Sequence, residues 1–489
     1  MDVFPPARRA PFARAAATAA VVALAGIPLA LSMCSREVYA QPAPAQATTT
    51  TAVAATLDSI AASFVRTNRT VGLVAAVVQG RDTLLHRAYG KADVEWDVPM
   101  PADAMFEIGS VSKQFAAVAI LQLQDAGTLS VDDALTTWLP TLDTGGRTVT
   151  LRHLLTHTAG IARFSEAYEW ERNMFVPGMP RDSAMRLVHL TPFTFTPGEA
   201  QAYSNGGFWL LGQVVEKASG LRYEDYLAQR LFTPLGMTRS MFCNSLQHVP
   251  RRAHGYGLVN GVLNRAPMVS YTWVSAPGAI CSTAADLVTW LQALHGGKVL
   301  SPRAYAELTT PARLSDGNTV RYGMGIKVAT DFRGVRYIGH GGTAPGFRAD
   351  AMWYPDTRTA VVVLMNTSAP NLSAADLGAR LTRVVVPGTR SMPPFYTGDA
   401  TAYVGTYRLV RGGNQAQATL VVSSTPAGLA FSMNGSPPQP LPWVGGGTFY
   451  AGETTTLTFT RSGGAASGAA ANGTGPYTEV RRDDAGNHA

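Results

Sequence analysis

Gly109-Ser110-Val111-Ser112-Lys113, running directly into the apolar stretch 115–123, is the segment from which the rest of the chain is read. A serine and a lysine three positions apart share one face of a helix, which brings the ammonium to the hydroxyl. The residues that follow are apolar nearly all round, so the helix is expected to be buried, and burial weakens a lysine's hold on its proton. Ser110, in the first turn, also offers an outward backbone N–H backed by the helix dipole, as an oxyanion donor requires. Lysine is scarce here: Lys91, Lys113, Lys217, Lys298 and Lys327 are the only five among forty basic residues. Arginine, always charged, cannot serve where a proton must be given up, so each retained lysine invites a chemical question. A lone S-x-x-K also occurs in ordinary helix caps, and its neighbours elsewhere in the chain decide its meaning.

Two further motifs keep it company. Tyr203-Ser204-Asn205, the only Y-x-N in the chain, lies between Pro197-Gly198 and a helical run over 208–218. His340-Gly341-Gly342-Thr343 follows a strand-like run over 335–338. Together these resemble the active-site set of the penicillin-recognising serine hydrolases, specifically the group of class C β-lactamases, penicillin-binding D-alanyl-D-alanine carboxypeptidases and esterases. Flanking text resembles that family as well: Asp93-Val94-Glu95, Phe106-Glu-Ile-Gly-Ser-Val-Ser-Lys-Gln-Phe115, Thr150-Leu-Arg-His-Leu-Leu-Thr-His-Thr-Ala-Gly160, Leu235-Gly-Met-Thr-Arg-Ser240, Ser282-Thr-Ala-Ala-Asp-Leu287 and Gly339-His-Gly-Gly-Thr-Ala-Pro-Gly-Phe347. The resemblance spans about 57–386.

It implies an α/β (α+β) fold, with an antiparallel sheet flanked by helices plus an all-helical lobe. It also implies Ser110 as nucleophile, Lys113 as the group that helps remove its proton, Tyr203 as proton shuttle and Asn205 as the orienter of the substrate carbonyl. The backbone N–H groups of Ser110 and Thr343 would form the oxyanion hole, with Gly341, Gly342 and Arg348 on the substrate side. His340 stands where many relatives hold lysine. A neutral imidazole grips a substrate carboxylate more weakly than an ammonium unless Arg348 supplies the charge. The implied activity is therefore an exported hydrolase acting on esters or amides, as an esterase or D-amino-acid peptidase or amidase. The alternatives are a penicillin-binding or sensor protein that acylates with little turnover, and a true class C-like β-lactamase. The implied partner is a small-molecule or peptide substrate, peptidoglycan-derived peptides included. No cofactor and no metal are implied, and the oligomeric state is unassigned.

Outward from these motifs, 72–79 and 83–89 read as a hairpin across Gly80-Arg81-Asp82. Strand-like runs return at 325–330, 335–338, 349–354 and 360–365, and 374–386 reads as a closing helix. Strands at both ends around a helical middle predict one sheet assembled from both termini, with an inserted helical lobe. The loops over 162–196 and 259–273 are expected to line the pocket. The predicted organisation is a signal peptide over 1–40, a Pro/Ala/Gln/Thr linker over 41–52, the hydrolase over 53–386 and a turn-rich break over 387–398. A small antiparallel β domain over 399–489 follows, with 463–475 as a Gly/Ala-rich flexible excursion. Tyr403-Val-Gly-Thr-Tyr-Arg408 resembles the lipocalin-like tail of some such hydrolases.

The 489 residues are 46% hydrophobic and 15% charged, which excludes wholesale disorder. The net charge of +7 is scattered, which argues against a nucleic-acid partner. Arg8, Arg9 and Arg14 precede an apolar run over 15–33 and then Val38-Tyr39-Ala40, whose small residues suit cleavage after Ala40 and export to the periplasm or beyond. Left uncut, the run would associate the protein with a membrane. Cleavage leaves Cys243 and Cys281, which spacing allows as one disulfide or as two separately buried thiols. His153 and His157 stand four apart without an H-E-x-x-H glutamate, so zinc is not expected there. No G-x-S-x-G or Walker loop occurs.

Overall fold

Strand Gly72–Gln79 is buried along nearly its whole length, and its two faces serve two different cores. Val74, Ala76 and Val78 face a large helical layer, while Leu73, Ala75 and Val77 pack with Leu57, Ala61 and Phe64 from helix Ala45–Arg66. That alternation is the period-two geometry of a strand covered on both sides. Strand Thr359–Met365 repeats it, with Val362 and Leu364 on the lobe side and Val361, Val363 and Met365 against Leu377 and Leu381 of helix Ala374–Val385.

In this computed structural model the described residues are 45–482, except 68–69, 177–179, 245, 260, 370–371, 389–394, 412–413, 427, 434–437, 451–455, 463–464 and 473–477. The expected signal peptide and its Ala40 site lie outside them. Among the described residues no helix is long and apolar enough to cross a membrane. The main sheet has seven antiparallel strands, in the order Val98–Pro99, Asp82–Asp93, Gly72–Gln79, Thr359–Met365, Phe347–Tyr354, Arg336–Ala344 and Lys327–Thr330. The N-terminal hairpin therefore pairs with strands some 280 residues later, as the two-ended reading predicts. One face carries the Ala45–Arg66 and Ala374–Val385 helices; the other carries the lobe, centred on helices Ser112–Asp125, Asn205–Ser219 and Ala284–His295.

Two expectations are corrected. The linker expected over 41–52 is helical from Ala45 onward. Alanine favours helix, and the sheet-facing Leu57, Ala61 and Phe64 anchor the helix that this segment extends. Within the expected flexible excursion over 463–475, Ala465–Asn472 is a strand, paired on one side with Thr456–Ser462 and on the other with Thr478–Arg482. Ladder hydrogen bonds need only backbone, so small side chains do not prevent pairing between two formed neighbours. The tail is a nine-stranded antiparallel sheet over its own apolar cluster, in which Tyr403, Tyr407, Phe449 and Phe459 meet edge to face.

Cys243 and Cys281 form a disulfide with Cα atoms 5.2 Å apart, resolving the choice that spacing left open. It ties strand Ile280–Ser282 to the Met241–Phe242 segment beside it. Closing a loop with a sequence separation of 38 removes denatured-state entropy worth about 4 kcal/mol in the chain-entropy model. Cys281→Ser, or dithiothreitol, is expected to lower unfolding stability by about that amount in a urea titration. Coincident midpoints for oxidised and reduced protein would contradict this.

Candidate active site

The Ser110–Lys113 pair sits where helix Ser112–Asp125 begins, after the one-turn 3-10 segment Gly109–Val111. The helix is fixed in depth by Phe115 stacking on Trp290 at 4.0 Å and by Trp290 Nε1 donating to Gln114 Oε1 at 3.2 Å. Lys113 is wholly buried as a result. Its Nζ lies 3.1 Å from Ser110 Oγ, 2.8 Å from Asn205 Oδ1 and 3.0 Å from the Pro277 carbonyl. Burial pushes its pKa well below the usual lysine value. A neutral amine has two N–H groups and one lone pair: the two carbonyl oxygens take the N–H groups, and the lone pair is left for the Ser110 hydroxyl proton.

Tyr203 approaches from a second element. Ser204 caps helix Asn205–Ser219 by accepting the Gly207 N–H at 3.0 Å, so Tyr203 falls just before the helix and Asn205 within its first turn. Tyr203 OH donates to Ser110 Oγ at 2.7 Å. Burial pushes the phenol's pKa upward, so it stays protonated and can supply a proton to a departing group.

The third element is the end of strand Arg336–Ala344, pressed onto the 109–111 turn. Gly109 has φ +51°, and a Cβ there would fall 2.5 Å from Thr343 O. A Cβ on Gly342 would fall 1.9 Å from Ile108 O. Only glycine permits backbones this close, and the approach brings the 109–111 turn against the strand end, where Ser110 and Thr343 both line one cavity. Gly342 thus acts in packing, whereas a Cβ on Gly341 would meet nothing closer than 3.6 Å, and neither is among the cavity-lining residues.

The cavity, of about 190 Å³, is lined by Ser110, Asn205 and Thr343 together with Glu107, Trp170, Met174, Trp209, Val269, Trp273 and Val274. Trp170 meets Trp209 at 5.4 Å and Trp273 at 4.9 Å between ring centroids, both edge to face. Trp170 and Met174 lie on helix Tyr168–Met174 within 162–196, and Val269 and Trp273 lie within 259–273, Trp273 on helix Tyr271–Val274; these are the two segments expected to line the pocket as loops. Glu107 is buried; its Oε1 accepts from Tyr271 OH at 2.7 Å and from Arg252 at 3.0 Å. Burial raises its pKa, and those two partners oppose the rise. The sequence reading missed Glu107 and the tryptophans, although Glu107 stands in the quoted motif three residues before Ser110.

His340 and Arg348 do not stand where the sequence reading expected. His340 is buried beside Tyr203, with Nε2 2.9 Å from Tyr322 OH and Nδ1 2.5 Å from Gly341 O. The carbonyl can only accept, so Nδ1 carries the proton and Nε2 accepts from the phenol. Burial, aided by Lys327 and Lys113, depresses its pKa well below the usual value, so the ring is neutral. Neither nitrogen is left for a substrate. Arg348, opposite Thr343 on the neighbouring strand, donates to Phe347 O at 3.1 Å and does not line the cavity. Among the described residues, the lining contains no lysine or arginine.

The two histidines set aside as metal ligands have other partners. His153 closes a capping box with Thr150, and His157 packs on Tyr203. Asp93, Glu95 and His254 do bring ligand atoms within 4.8 Å of one another, but the Arg265 guanidinium lies against the His254 ring and opposes a cation there.

Comparison with known proteins agrees with this geometry. The chain is 29% identical over 364 residues to penicillin-binding protein 4* of Bacillus subtilis (strain 168), covering 70% of this chain and 80% of the relative. It is 26% identical over 344 residues to a D-aminopeptidase of Gluconobacter oxydans (strain 621H), covering 69% of this chain but only 62% of that enzyme. The crystal structure of a D-stereospecific amidohydrolase from Streptomyces sp. superposes with a TM-score of 0.56 at 26% identity, over 64% of this chain and 94% of that one. Residues 57–385 match the Beta-lactamase family model. The chain therefore belongs to the Beta-lactamase family, as a serine hydrolase of the acyl-enzyme type.

Proposed function

We propose that the protein hydrolyses esters or amides with an uncharged or amine-bearing, apolar acyl group, as an esterase or D-amino-acid amidase, in preference to carboxylate-bearing β-lactams and D-alanyl-D-alanine peptides. The observation that carries this reading is the tryptophan-walled cavity over Ser110, whose described lining includes Glu107 and no lysine or arginine. At about 190 Å³ it has room for an aromatic ring, since a cavity of about 150 Å³ suffices for benzene. The similarity to a D-aminopeptidase and a D-stereospecific amidohydrolase supports the amidase side.

In this mechanism Ser110 Oγ attacks the acyl carbon and its proton passes to Lys113 Nζ. The developing oxyanion meets the Ser110 and Thr343 amides. Tyr203 OH protonates the leaving alcohol or amine and is left as a phenolate paired with the Lys113 ammonium. The phenolate takes a proton from a water that attacks the acyl-serine, the Lys113 ammonium returns its proton to Ser110 Oγ as the acyl bond breaks, and the acid departs. Export is part of the proposal, supported by the 15–33 apolar run, the Ala40 site and the Cys243–Cys281 disulfide, since such bonds persist in oxidising compartments. The first residue of the mature protein is then expected to be Gln41.

The substrate test compares p-nitrophenyl butyrate and D-phenylalanine amide with nitrocefin and a D-alanyl-D-alanine peptide. A charged hydrogen bond exceeds a neutral one by about 1 kcal/mol or more, so kcat/KM is expected to favour the first pair by about fivefold or more. Preference for nitrocefin over both would overturn the proposal. Continuous release of p-nitrophenol beyond one equivalent separates turnover from a protein that only acylates.

The base must be neutral to act, and burial lowers the Lys113 pKa. Hence kcat/KM on the ester is expected to rise with pH through that lowered pKa and to level off before the ordinary lysine value of about 10.4. A rate that falls steadily from about pH 6 to about pH 9 would contradict the sign.

A further inference from the structure

We propose that His157 is the positioning residue that sets the reach of Tyr203 to Ser110, a role that rests on the proposed function of Tyr203. The residues on either side of Tyr203 are both tied to His157: Ala202 N–H donates to its carbonyl at 2.8 Å, and Ser204 N–H donates to its Nδ1 at 3.1 Å. The imidazole also lies on the tyrosine ring, 4.3 Å between centroids, with Phe208 and Tyr322 closing the other contacts at 5.0 and 4.9 Å. Backbone on both sides and ring in the middle are thus held by one residue, and the phenol so held stands 2.7 Å from Ser110 Oγ.

The chemistry of the ring fixes the tautomer. Nδ1 accepts an amide hydrogen, so the proton sits on Nε2, which is buried without a hydrogen-bond partner. An unpartnered buried donor costs stability. Phenylalanine or leucine would fill the same space without that cost, and neither could accept the Ser204 N–H. Burial, with Lys113 and His340 nearby, keeps the ring neutral and Nδ1 available. The φ of +61° at His157 turns the chain so that its carbonyl and its ring both face the tyrosine loop.

His157→Asn and His157→Gln separate this role from simple packing. Asparagine puts an oxygen where Nδ1 stands and tolerates positive φ; glutamine puts its polar atoms where Nε2 stands and leaves the Ser204 N–H unpaired. With p-nitrophenyl butyrate, His157→Asn is expected to keep kcat within about fivefold of wild type. His157→Gln is expected to lose about 10- to 100-fold in kcat with KM within about threefold, the scale of a catalytic group misplaced by about 1 Å. Both are compared at temperatures where each variant is folded by circular dichroism. Equal losses in the two variants, a better glutamine variant, or a loss carried by KM would overturn the positioning role. Tyr203→Phe is run beside them. If it lowers kcat while the His157 variants do not, only the positioning role fails; if it leaves kcat unchanged, the assignment of Tyr203 fails and takes this inference with it.

Discussion

Ser110→Ala is expected to abolish ester hydrolysis, with kcat falling on the order of a millionfold, the scale seen where a nucleophilic serine is removed from a comparable unit. The side chain lost is one hydroxyl hydrogen-bonded to Lys113 Nζ and Tyr203 OH, and no apolar core atom goes with it. The variant should therefore unfold within a few degrees of wild type, while a fluorophosphonate probe no longer labels it. Retained labelling in a folded Ser110→Ala protein would show that another residue is the nucleophile. Loss of activity with loss of folding would not satisfy the prediction, so circular dichroism accompanies the rate measurement.

The second large effect is at Gly342, which is not among the cavity-lining residues. A Cβ there would sit 1.9 Å from the Ile108 carbonyl oxygen and 3.3 Å from the Ser110 amide nitrogen. The obstacle is backbone and cannot swing aside, so Gly342→Ala must lift the strand end off the 109–111 turn. The Thr343 amide then moves away from the Ser110 amide. Losing one such donor costs about 10²- to 10³-fold in kcat, and KM for a neutral ester should change little because the tryptophan wall is untouched. Wild-type kcat in Gly342→Ala would mean that the two amides do not act together.

Ser110 and Lys113 are legible in the sequence because a local rule, the i, i+3 spacing, puts serine and lysine on one face. Tyr203 and Asn205 are legible only through the resemblance of their Y-x-N motif to the family's set, and the structure adds that Ser204 between them caps the helix. The sheet is legible by a local rule as well: alternation along 72–79 and 359–365 states which residues face which layer. His340 shows where that kind of rule ends. Strand parity correctly puts it on the lobe side with Ile338, but its depth is decided by Tyr322, a loop residue whose hydroxyl meets Nε2 and whose position no pattern in the sequence announces. The cavity wall is equally non-local, since Trp170, Trp209 and Trp273 come from three separate segments and only the fold stacks them. The disulfide falls in the same class, because a sequence separation of 38 says nothing about a Cα distance of 5.2 Å. The helical turns over 45–52 and the strand Ala465–Asn472 were misread because both lack bulky apolar markers, and neighbouring elements recruit them through backbone and propensity.

The central claim is that hydrolysis passes through an acyl group on Ser110, and one measurement meets it directly. Turnover of p-nitrophenyl butyrate is quenched in acid within the first catalytic cycle, the protein is digested, and the butyryl group is located by tandem mass spectrometry. The account predicts the added mass on Ser110 and its absence from Ser110→Ala; a butyryl group on any other side chain, with Ser110 unmodified during turnover, would contradict it.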